Sequence, residues 1–262
     1  MLIDNHVHLY ESGRGGGRGA PASTDDLLRE MDTAGIDVSV VIPLPGAASN
    51  EYVRAQCVRH GDRLVQLYTP EFDRPSETIS RMKAFCAAAD VRGVKIHPRV
   101  QGVTIRDPLV REVIACATEL RLPVVFDVFP FHASLDDPAI QAMAYHRLAQ
   151  EFPGTTLVLA HCGGFQVLDA FMVAKVNRNV LLDISFTWIY FRGASIAGDL
   201  AFVCSRLPAG KVLYGSDFPD VSLVEYLEVV RQGTAGLGAE QRAALFGGTA
   251  ANVYRIGKAA GA

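Results

Sequence analysis

The sequence predicts an α/β fold, a (β/α)8 or TIM barrel built as one domain over residues 1–262. Three observations predict it. Short runs of branched apolar residues alternate with helix-like segments along the whole chain. Eight such runs can be counted, each close to continuously apolar, as strands covered on both faces by crossover helices are. The length, 262 residues, suits the roughly 250 residues typical of that fold. An open doubly wound sheet is the alternative, but no Gly-x-Gly-x-x-Gly follows the first run.

Taken in order, Leu2–His8 is the first strand and Glu11–Ser23 a Gly-rich basic loop, too costly in backbone entropy to form a regular element. A helix starts at Thr24, with acids in its first turn, Leu27, Leu28 and Met31 at helical spacing, and Gly35 as its stop. Strand Val38–Leu44 leads to helix Asn50–His60, and strand Arg63–Tyr68 to helix Ser76–Ala89. The fourth strand is Arg92–His97, followed by helix Pro108–Leu120; the fifth is Pro123–Phe129, followed by helix Asp137–Phe152. Then come strand Thr156–His161, helix Val167–Val176, strand Val180–Phe186, helix Ile196–Leu207, strand Val212–Asp217 and helix Leu223–Arg231. Ala239–Ile256 closes the chain as one or two short helices.

The formal net charge of −3 offers no basic field for nucleic acid and no polybasic anchor for a membrane, and no run of eighteen apolar residues occurs. With a strand starting at Leu2, no cleavable leader is expected and the cytoplasm is the expected compartment. Five scattered cysteines, none in a C-x-x-C pair, argue against a disulfide framework or a zinc-thiolate knuckle. The expected partner is a small-molecule substrate; a homo-oligomer is allowed.

Chemistry in such a barrel sits at the C-terminal ends of the strands. His6 and His8 end the first strand, and residues two apart on a strand share a face, so their imidazoles can converge on one divalent ion. Lys95 and His97 end the fourth, Asp127 the fifth, His161 the sixth and Asp217 the eighth. Four of the seven histidines fall at these ends; His60, His132 and His146 are assigned to the surface. Asp217, in Y-G-S-D-F-P, can cap a turn, but a carboxylate beside a cation also stays ionised and can act as a general base. His161 is either a further ligand or the group that orients the attacking water. Arg14 and Arg18, on the mobile-looking Gly-rich loop, could close over an anionic substrate. Loops Pro98–Asp107, Pro130–Asp136 and Phe186–Ser195 are the other candidates for specificity; the last carries Trp188, Tyr190, Phe191 and Arg192, able to stack on a planar ring and pair with an acid.

These motifs, D-N-H-V-H, G-V-K-I-H-P, A-H-C-G-G and Y-G-S-D-F-P in that order, resemble the amidohydrolase superfamily, specifically its amidohydrolase-related branch of hydrolases and decarboxylases. The resemblance implies a mononuclear site with His6 and His8 on the metal, Asp217 contributing a carboxylate and His161 polarising the nucleophilic water. One departure stands out: the family usually has histidine where Asp127 stands, so Asp127 is expected as a substitute ligand, with Zn²⁺ first and harder Mn²⁺ second. Lys95 sits where some members carry a carbamylated lysine, and is assigned with His97 to substrate binding. The implied activity is hydrolysis of an amide, lactone or other ester of a carboxylate-bearing molecule through one divalent metal ion. Decarboxylation of an unsaturated or aromatic acid, metal-free lactone opening and, last, a non-catalytic ligand-binding barrel are the alternatives.

Overall fold

The computed structural model describes residues 1–16, 19–130 and 141–257. Strand β1 (Ile3–Val7) is followed by a small hairpin, β2 (Arg14–Gly15) and β3 (Ala20–Pro21), and by helix α1 (Thr24–Ala34). Strand β4 (Val38–Val41), helix α2 (Asn50–Arg59), strand β5 (Leu64–Tyr68), helix α3 (Thr78–Ala88) and strand β6 (Val91–Ile96) come next. A short α4 (Pro98–Gln101) and α5 (Pro108–Glu119) lead to β7 (Val124–Asp127), α6 (Tyr145–Glu151), β8 (Leu157–Ala160) and α7 (Val167–Val176). Then follow β9 (Val180–Asp183), α8 (Thr187–Tyr190), α9 (Ile196–Arg206), β10 (Val212–Leu213), α10 (Leu223–Gly233), α11 (Ala239–Ala243) and α12 (Thr249–Val253).

Eight strands pair in the order β1-β4-β5-β6-β7-β8-β9-β10, all parallel. The barrel closes through a bridge between Val7 and Phe218, with Asn5 N–H donating to Tyr214 O (3.0 Å), Asp217 N–H to His6 O (2.9 Å) and His8 N–H to Phe218 O (2.8 Å). Alternate residues such as Ile3, Val40, Leu67, Val125 and Val158 fill the interior, and Ala250 and Tyr254 plug one end. A second, larger core lies between strands and helices. Among the described residues no helix is long and apolar enough to cross a membrane.

The barrel agrees with the expectation; several boundaries do not. Glu11–Ser23 does form a regular element, the antiparallel β2–β3 pair. Gly16 and Gly19 take φ of +69° and +64° to start and end its turn, and a Cβ at Gly15 would lie 2.2 Å from the Tyr10 ring, so the glycines permit the hairpin rather than forbid it. The last barrel strand is two residues long instead of reaching Asp217, because the chain from Tyr214 onward bonds irregularly to β1 and Asp217 itself adopts φ +73°. The helix expected from Asp137 is described only from a 3₁₀ turn at Ala142–Ala144 onward; its first residues lie outside the described set.

Candidate active site

The barrel delivers eight polar groups to the C-terminal ends of its strands. His6 lies on β1 and His8 just after it; Lys95 is on β6 and His97 just after it. Asp127 and Asp183 are the last residues of β7 and β9, while His161 follows β8 directly and Asp217 lies in the irregular segment after β10. His161, Cys162, Phe186 and Asp217 all have positive φ, between 48° and 73°, so the strained backbone concentrates at this rim. Gly215 lets the rim close tightly: a Cβ there would meet Asn5 Nδ2 at 2.7 Å, His6 Cβ at 2.8 Å and Asp183 Oδ1 at 3.0 Å.

His6 Nε2 and His8 Nε2 each lie 3.5 Å from Asp217 Oδ1. Their other nitrogens are engaged: His6 Nδ1 with Asp183 Oδ2 at 2.5 Å, and His8 Nδ1 with the Ile42 carbonyl at 2.9 Å. A carbonyl can only accept, so the His8 proton belongs on Nδ1 and Nε2 keeps its lone pair. Burial, reinforced by the charge of Lys95, holds His6 well below the ordinary imidazole range, so its ring is neutral. Three electron-pair donors therefore converge with no proton among them. The two separations from Asp217 Oδ1 are each close to the about 3.4 Å between neighbouring ligands on a tetrahedral ion with bonds of about 2.0–2.1 Å. His6, His8 and Asp217 thus fit a divalent cation.

A second donor set overlaps the first: one donor atom each of His6, His161 and Asp217 lie within 4.8 Å of one another. The surroundings of His161 give it a different character. Its Nε2 is 3.1 Å from Asp127 Oδ1, and its Nδ1 faces Ser185 O (3.2 Å) and Ser185 Oγ (3.1 Å). Burial disfavours charge on the ring, but Asp217 and Asp127 outweigh it and raise His161 above its ordinary value. Burial likewise opposes ionisation of Asp217, yet the histidines around it, His161 foremost, hold its carboxyl well down.

Asp127 lies among the same groups. Besides His161, it faces His97 Nδ1 and the Arg99 guanidinium, both at 3.4 Å through Oδ2. Burial would raise its carboxyl, but His97, His161 and Arg99 reverse that and hold it well below the usual range. It stands as an anion among two imidazoles and a guanidinium. Beside its expected role as a substitute metal ligand, Asp127 thus has a second one, as a partner for His161, His97 and Arg99.

Lys95 is 1% exposed and places Nζ 3.2 Å from His6 Nε2, with burial lowering its ordinary value. Arg14 is exposed and donates to Gly19 O at 3.2 Å on its own hairpin; Arg18 lies outside the described residues. Trp188 packs inside, against Gly233, and Arg192 pairs with Glu225 at 2.6 Å, so neither meets these groups. Tyr190 and Phe191 instead join Phe129 and Phe186 in a cluster of edge-on rings whose Phe129 lies 5.5 Å from the His161 ring. Gly164 makes room for it, since a Cβ would meet Pro130 Cδ at 2.7 Å. Sequence reading missed Asp183, Ser185 and Arg99. Asp183 carried the same signal as Asp127, an acid ending the apolar run V-L-L-D, but the strand was read through to Phe186.

Among solved structures, a TIM-barrel protein of Bordetella bronchiseptica is similar at a TM-score of 0.82 and 19% identity, over 96% of this chain and 97% of that one. A probable 2-pyrone-4,6-dicarboxylic acid hydrolase of Acinetobacter baumannii, solved with citric acid bound, gives 0.73 and 14% over 97% and 99%. The 5-carboxyvanillate decarboxylase of Sphingomonas paucimobilis gives 0.73 and 15%, also over 97% and 99%. No curated protein matches the sequence. These distant likenesses show the fold alone, but the sequence model of the amidohydrolase family matches residues 3–256, from β1 past the Tyr254 plug, and the chain belongs to that family.

Proposed function

We propose that this protein is a metal-dependent hydrolase that opens an amide, lactone or other ester bond in a small carboxylate-bearing molecule. The observation that carries the reading is the convergence of His6 Nε2, His8 Nε2 and Asp217 Oδ1 with their protons directed elsewhere. Two imidazoles and a carboxylate suit zinc first and manganese second. Such an ion, when bound, supplies Lewis acidity toward water and a carbonyl. Asp217, kept ionised by its histidines, accepts the proton of the attacking water and returns it to the leaving group. His161, raised above its ordinary value beside Asp217 and Asp127, steadies negative charge developing on the substrate oxygen. Lys95 and Arg99 give the site the positive side that a substrate carboxylate needs, and His97, which burial pushes down to about 3, adds a neutral imidazole beside them.

A second reading has its own observation. Lys95 Nζ sits 3.2 Å from His6 Nε2, where its positive end can do part of a cation's work, and this favours metal-free lactone opening by the same histidines and Asp217. The likeness to a decarboxylase adds CO₂ release from an unsaturated or aromatic acid as a third outcome.

Metal content by inductively coupled plasma mass spectrometry, on protein prepared without added metal or chelator, separates the readings. The expected result is about one equivalent of zinc or manganese, and hydrolysis of a lactone, ester or amide panel that stops on chelation. A site that stays empty on titration while lactones are still opened would replace the metal-dependent reading with the metal-free one. CO₂ as product would move the assignment to decarboxylation.

A further inference from the structure

We propose that Asp183 is a positioning residue that fixes the proton of His6 on Nδ1, leaving Nε2 as an electron-pair donor in the site, and that Ser185 extends the same device to His161.

Asp183 ends β9 and is fully buried. Its Oδ2 lies 2.5 Å from His6 Nδ1 and also accepts from Ser185 Oγ at 3.0 Å, while Oδ1 accepts from Ser185 N at 2.8 Å. With Ser185 donating to both oxygens, the carboxylate acts as an acceptor and the proton between it and His6 belongs to the imidazole. At the other ring nitrogen, Lys95 Nζ lies 3.2 Å from His6 Nε2, within hydrogen-bond reach of a lone pair there. Ser185 Oγ spends its one hydrogen on Asp183, so its lone pairs face the two histidines, at 3.1 Å from both His6 Nδ1 and His161 Nδ1. The segment Asp183-Ile184-Ser185 therefore sets proton placement on rings from two different strands, β1 and the β8 end. Such outer partners commonly change metal affinity 10–100-fold when lost, because an imidazole free to tautomerise presents a proton instead of a lone pair.

The test is the tautomer of His6, read by long-range proton–nitrogen correlation spectroscopy on metal-stripped, nitrogen-15-labelled protein and assigned by loss of its signals in His6→Gln. The wild type is expected to show the Nδ1–H pattern, and Asp183→Ala and Asp183→Asn to shift toward Nε2–H. A wild type with the proton on Nε2, or a folded Asp183→Ala with an unchanged pattern, would overturn the proposal. If neither variant folds, the wild-type spectrum decides alone. The second readout rests on the metal reading above: zinc affinity, by competition with a chromophoric chelator, should fall about 10–100-fold in Asp183→Asn. Unaltered affinity in that variant would count against Asp183 even if the tautomer moved. A wild type that takes up no zinc would overturn the metal reading, while the tautomer result still decides on Asp183.

Discussion

Asp217 and Gly215 show how closely chemistry and packing are tied at single residues. Asp217 is at once a donor facing His6 and His8 and the acceptor of the water proton in the proposed reaction. Asp217→Asn keeps its size and removes its charge. It is expected to lower turnover by about 10²–10⁴, the contribution of a positioned general base, with circular dichroism and cooperative unfolding intact. A folded variant with full activity would remove Asp217 from the mechanism. Gly215 has no chemistry of its own, but Asn5, His6 and Asp183 all press on the space a Cβ would take. Gly215→Ala should therefore cost about 1–3 kcal/mol in urea unfolding and disturb metal uptake, since the displaced atoms belong to His6 and its partner. A stability and metal content equal to wild type would show that the rim is looser than these distances indicate.

At the level of elements, the strands were legible because burial on both faces leaves near-continuous apolar runs, and a run such as L-V-L-A admits no other reading. What periodicity could not show was where a strand stops pairing. The eighth run, Val212 to Asp217, starts apolar as V-L-Y, but after Leu213 it leaves the regular ladder and bonds to β1 one irregular contact at a time. The hairpin was missed for a related reason: glycine's entropic cost is visible in sequence, while the Tyr10 ring that makes a glycine necessary is visible only in three dimensions. The site divides in the same way. His6, His8, His161 and Asp217 were readable as strand-end residues, whereas the partners of Asp127 depend on Arg99 and His97 arriving from the β6 side. The strand interiors also carry a stability prediction. Leu67 is fully buried inside the barrel, against the position where a Cβ on Gly93 would lie at 2.9 Å. Leu67→Ala is expected to lose about 2–5 kcal/mol in denaturant unfolding, from lost transfer energy and the cavity left in a packed layer. A loss under about 1 kcal/mol would mean that the layer collapses around the gap.

For the whole molecule, the position of the proposed metal matters as much as its chemistry. His6 lies on β1, His8 just after it and Asp217 in the segment after β10, so the donors lie on both sides of the seam that closes the barrel. That seam is held by one bridge and a few single hydrogen bonds, in contrast to the continuous ladders elsewhere. An ion shared by His6, His8 and Asp217 would tie the first and last strands together and bind only the closed form. Mass action then sets the size of the effect: metal at about 100 times its Kd adds about 2.7 kcal/mol, or about 5–10 °C in Tm for a chain of this size. Chelator-treated protein is expected to melt lower by that amount and to recover on adding zinc. His6→Ala/His8→Ala should melt at one temperature whether metal is present or not. The location can be checked by hydrogen exchange, in which the amides of Asn5, His8 and Asp217 should gain protection on metal addition while those of β7 and β8 stay unchanged. A metal-induced shift spread evenly over all strands, or one that survives loss of both histidines, would place the ion somewhere other than the seam.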